Sequence, residues 1–162
     1  MRRWLAVGVM SLGILVAGCD KQKIDQLEEG VATEADVRAK FGEPAAIYSE
    51  EGGARTFEYP RQPAGQTNYM ITIGTDGKMS ALRQVLKPVT FAQIVPGLDK
   101  AQVRRLLGLP AKTQSFALKP QEDVWDWRFA DGTEGKVFSV TFDKDGRVLS
   151  TATTLDGKET GH

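Results

Sequence analysis

The sequence predicts an α+β protein made of two tandem helix-helix-β-β-β repeats, each packing its helices on one face of an antiparallel sheet. Three observations predict this: an internal repeat, paired helix-start and helix-stop signals in both copies, and alternating runs that each lead into an Asp-Gly dipeptide. In the repeat, Ile24 aligns with Phe91, Leu27 with Ile94 and Gly30 with Gly97 at one constant offset. After a slip of one residue, Val37 aligns with Val103, Arg38 with Arg104, Phe41 with Leu107, Gly42 with Gly108 and Pro44 with Pro110. Farther on, Met70–Lys78 aligns with Ser139–Arg147.

In each copy the apolar pairs Ile24/Leu27 and Phe91/Ile94 predict one helical turn, closed by Gly30 or Gly97. A second helix starts at Thr33 or Asp99. Asp36 and Gln102 stand three residues on, where a side chain can return a hydrogen bond to the cap. Val37 with Phe41, and Val103 with Leu107, share one helical face. Gly42 and Gly108 supply the left-handed residue that ends the helix, and Pro44 and Pro110 prevent its continuation. Three strands then follow. Arg55–Tyr59 and Val124–Phe129 come first, then the alternating segments around Ile71 and Val140. Asp76-Gly77 and Asp145-Gly146 turn the chain into Met79–Val85 and Val148–Thr154. The expected organisation is a leader over 1–18, a lipidated cysteine and short tether over 19–23, repeats over 24–87 and 88–155, and a polar tail over 156–162.

Arg2 and Arg3 precede an apolar run from Trp4 to Ala17. A spanning helix needs about 20 apolar residues, so this shorter run suits an export signal. Ala17 and Gly18 then stand directly before Cys19, the sole cysteine, in a pattern that resembles the bacterial lipobox. That resemblance implies cleavage before Cys19, lipidation of its sulfur and anchoring on a membrane without spanning it.

Lys plus Arg and Asp plus Glu number 21 each, and two arginines belong to the leader. So balanced a chain lacks the basic footprint of nucleic-acid binding. With Cys19 carrying lipid, neither a disulfide nor a cysteine metal site is expected. The sole histidine, His162, ends the polar tail and offers no rigid base for a catalytic triad or zinc site. Asp143–Arg147 lacks the later oxygen ligands of an EF-hand and reads as a turn. No catalytic constellation, cofactor or metal is expected.

The lipobox, GVATEADVRAKFGEP, PGLDKAQVRRLLGLP and the WDWRF strand together resemble the BamE/SmpA/OmlA family of envelope lipoproteins. The tandem arrangement itself resembles the fold of the β-lactamase inhibitor protein. The first resemblance implies a non-enzymatic accessory role in outer-membrane protein assembly or envelope integrity, with the β-barrel assembly complex as partner. The second implies an inhibitor or modulator of a periplasmic enzyme. A third idea is a small-ligand site between the two repeats. The family resemblance implies the outer membrane, whereas Asp20 directly after Cys19 matches an inner-membrane retention signal.

The candidate partner surface is aromatic. Trp125 and Trp127 alternate with Asp126, and Phe57 and Tyr59 repeat the pattern in the first copy. Such rings serve either as binding anchors or as core packing against the helices.

Overall fold

The computed structural model describes residues 19–116 and 119–157. The leader expected over 1–18, the Cys19 side chain, and residues 158–162 with His162 lie outside the described residues. The architecture is α+β, with two antiparallel four-stranded sheets and few helices.

In the first half, α1 (Cys19–Ile24) and α2 (Glu34–Phe41) precede β1 (Ala46–Ser49), β2 (Arg55–Pro60), β3 (Asn68–Ile73) and β4 (Met79–Gln84). In the second, α3 (Pro88–Phe91) and α4 (Lys100–Leu107) precede β5 (Lys112–Phe116), β6 (Lys119–Asp131), β7 (Glu134–Phe142) and β8 (Val148–Leu155). Strands in each sheet are ordered as in the chain. Each sheet thus has four strands where three were expected. The additions, β1 and β5, are short and owe their place to pairing with β2 and β6. Both Asp-Gly turns occur, with Gly77 and Gly146 at positive φ.

Both eight-residue helices start as expected. The Thr33 hydroxyl accepts from the Asp36 N–H while Asp36 accepts from the Thr33 N–H, and Asp99 and Gln102 do the same for α4. The helix ends differ from expectation. Gly42 (φ 82°, ψ −160°) and Gly108 (φ 75°, ψ −171°) leave the helix through the glycine-only extended region and not through the left-handed helical one.

The helices do not all lie on one face of one sheet. Val37 and Phe41 of α2 pack with Phe57, Tyr59, Ile71 and Ile73 on one side of the first sheet. Val103 and Leu107 of α4, with Phe91 of α3, pack on Trp127, Phe129, Phe138 and Val140 of the second. That cluster also takes in Met70, Val85 and Leu86 from the first half. The order of layers is therefore α2, first sheet, α3 with α4, second sheet. Over the segment expected to be a tether the chain is helical: α1 begins at Cys19 itself, Asp20 accepts from Arg61 Nε at 2.9 Å, and Ile24 packs against the first core.

Candidate functional site

The four aromatics proposed as a partner surface are mostly inside. Phe57, Tyr59 and Trp127 are 0%, 1% and 0% exposed. This corrects the expectation of a surface at those rings, because each sits on the sheet face its own helix covers. Trp125 is half-buried, tilted on Trp127 and edge-on to Phe142, with Lys100 over its ring. Tyr59 Oη donates to the Gly42 carbonyl and Trp127 Nε1 to the Gly108 carbonyl, both at 3.0 Å. The aromatic tips thus satisfy backbone acceptors at the two helix ends. Burial pushes the Tyr59 phenol up to about 12.

The C-terminal end of α4 is where the halves meet. Glu58, fully buried in β2, accepts from Arg104 Nε at 3.2 Å, from the Leu109 N–H at 3.0 Å and from Tyr48 Oη at 2.5 Å. Asn68, also fully buried, donates to the carbonyls of Leu107 at 2.7 Å and Leu109 at 3.0 Å. Its own oxygen accepts the Arg61 N–H. These buried polar groups are therefore satisfied across the interface. Burial, then the bond to Glu58, raises the Tyr48 pKa to about 12. A second contact lies at the loop of residues 61–67, where the Gln62 amide bonds both the N–H and the carbonyl of Arg128 in β6.

Next to this junction, α3 and α4 stand off the first sheet and leave an open groove of about 670 Å³. Met70, Val85, Leu98 and Leu106 line it beside the polar Thr56, Thr72 and Gln84, and Arg83, Lys87, Arg105 and Glu50 bring charge to it. Arg105 pairs with Glu50 at 2.6 Å and lies over the Tyr48 ring, while Arg83 pairs with Glu29 at 2.7 Å. This is the location at which the sequence suggested a ligand site between the repeats. The residues themselves were not singled out, although one signal existed: Leu106 aligns with Lys40 of the first copy, an apolar residue replacing a charged one beside the core face.

A smaller cavity, about 580 Å³, lies between α1, the 61–67 loop and Tyr69. The segment Asp143–Arg147 is a turn in which the Asp143 carboxylate accepts the N–H groups of Asp145 and Arg147. Among the described residues there is no group of three or more His, Cys, Asp or Glu able to hold a metal, and no helix long and apolar enough to cross a membrane.

No family model matches the chain, and no curated protein matches it significantly. Among solved structures, the osmotically inducible lipoprotein OsmE aligns at 21% identity over 44% of this chain and 68% of its own, with a TM-score of 0.36. YjgB, a protein of Bacillus subtilis, aligns at 18% identity over 80% of this chain and 82% of its own, with a TM-score of 0.32. A cysteine-rich secretory protein of Staphylococcus aureus aligns at 14% identity over 82% of this chain and 48% of its own, with a TM-score of 0.29. Likenesses this distant carry no argument about family or function.

Proposed function

We propose that this chain is a non-enzymatic, lipid-anchored protein of the bacterial envelope that acts by binding another envelope protein through the groove beside α4. The observation that carries the reading is LVAGCD, residues 15–20, at the end of a basic-then-apolar leader. Processing at Cys19 would leave α1 as the first element of the mature chain, with the Asp20–Arg61 pair holding the lipid-bearing end on the domain. The groove supports a binding role: apolar Met70, Val85, Leu98 and Leu106 beside Lys87 and the Arg105–Glu50 pair suit a protein segment that buries apolar residues within a polar rim. In this reading the two halves are tandem copies of one helix-helix-sheet unit, and the partner is a component of outer-membrane protein assembly.

Two measurements test it. Labelled palmitate is expected to enter the full-length chain and to be lost in Cys19→Ser; an unlabelled wild type would contradict the anchor. A photo-crosslinker at Gln93, on the groove wall, is expected to capture a component of the barrel-assembly complex. Capture of a soluble periplasmic enzyme instead would favour the modulator role.

A further inference from the structure

The four sheet edges are finished in different ways. β1 is four residues long, β5 starts with Lys112, and β4 carries Arg83. The β4 edge is also covered by the segment before α2. Gly30 N–H donates to the Met79 carbonyl and Met79 N–H to the Ala32 carbonyl, both at 2.7 Å. Glu29 Oε1 then accepts the outward N–H of Leu82 at 2.9 Å.

On β8 the first two bonds recur. Gly97 N–H donates to the Val148 carbonyl at 2.9 Å, and Val148 N–H to the Leu98 carbonyl at 2.8 Å. The third has no counterpart, because Pro96 aligns with Glu29 and offers no carboxylate. Past that point β8 runs on to Leu155 with every residue from Leu149 exposed and no charge or proline anywhere in VLSTATTL. Asp156 N–H donates inward to Gly135 O at 2.9 Å, so alternation turns the N–H and C=O of Thr151, Thr153 and Leu155 outward. Exposed edges of this length normally carry charges, proline or a cover.

We propose that β8 is the edge through which two copies of this chain associate, pairing β8 with β8 antiparallel about Thr153 to form one continuous sheet. A second copy fits because the strand is self-complementary. About a two-fold axis at Thr153, each Thr151 faces the Leu155 of the other copy, and the outward groups of all three residues are satisfied. No like charges meet, since the strand has none, whereas on β4 the outward N–H of Leu82 is already taken by Glu29. Leu155, 70% exposed here, gains cover.

The test uses the full-length protein, expressed with its leader and purified in detergent, with its mass measured by light scattering. Wild type is expected to be a dimer. Thr153→Lys sets like charges opposite each other, and Thr153→Pro removes an outward N–H that the chain's own sheet does not use; each should weaken dimerisation by about tenfold or more. In membranes under oxidation, Thr153→Cys should form a disulfide with its own copy, because directly opposed, hydrogen-bonded residues stand about 5.5 Å apart. Lys144→Cys, on an exposed turn, should not. A monomeric wild type, a dimer that survives both Thr153→Lys and Thr153→Pro, or a Thr153→Cys chain that crosslinks only to a different protein would each overturn the proposal.

Discussion

The ends of α2 and α4 use one local device under two different loads. In both, a glycine at positive φ turns the chain out of the helix, and an aromatic tip from the second strand of the sheet binds its carbonyl. Around Gly42 there is open space: a Cβ added there would meet nothing within 4 Å. Around Gly108 the first half closes in, and an added Cβ would stand 2.9 Å from the Asn68 amide nitrogen. Thus α2 serves one sheet, whereas α4 is wedged between two. Its Val103 and Leu107 cover the second sheet while its arginines and its last carbonyls hold the first.

The strongest way to break this asymmetry is Glu58→Ala. It leaves Arg104 and the Leu109 N–H without their buried acceptor, so denaturant unfolding should show a loss of about 3–5 kcal/mol. Next is the glycine pair. Gly42→Ala should cost about 2 kcal/mol in unfolding free energy, from backbone conformation alone. Gly108→Ala should cost about 3 kcal/mol, because the Asn68 amide it strikes is held by the carbonyls of Leu107 and Leu109. Equal losses in the two variants would show that the junction adds nothing at Gly108.

The aromatic tips come third. Tyr59→Phe removes one hydrogen bond and should lower thermal stability by about 1 kcal/mol. Trp127→Phe removes the equivalent bond and part of a fully buried ring, so about 2–3 kcal/mol is expected.

The smallest effect separates the two helix starts by pH. The N–H and hydroxyl of Thr33 hold the Asp36 carboxyl below its ordinary value of 3.8. A carboxylate lowered on folding stabilises the protein above its unfolded pKa, and that contribution disappears as pH falls through the folded one. Asp36→Asn should therefore flatten part of the acid limb of a stability-against-pH curve, measured by denaturant midpoints between about pH 6 and 3. Gln102→Glu should introduce a comparable acid dependence at α4, where the wild-type residue does not titrate.

The local devices were legible in the chain. Both capping boxes, the helix-ending glycines and the Asp-Gly turns rest on near-neighbour chemistry, which a sequence displays directly. β1 and β5 were not legible, since AIYS and KTQSF are short and the second is largely polar; pairing with the next strand decides them. The layering was hidden too. Glu58 sits between Phe57 and Tyr59 in an alternating strand, which locally describes an outward, solvated acid. It is buried because α4, whose Arg104 lies 46 residues farther along the chain, covers that face. The same long-range packing opened the groove beside Leu106, whereas Trp127 left the surface because the helix of its own half covers it, and no local period encodes either.

The end of α4, bonded to a side chain from each sheet, should bind the two sheets into one cooperative unit. Native-state amide hydrogen exchange tests it at Ile71 in β3 and Val140 in β7, the middle of each core. Both are expected to exchange with the same opening free energy in the wild type, and Glu58→Ala is expected to split them. Separate opening energies in the wild type, unchanged by Glu58→Ala, would contradict it.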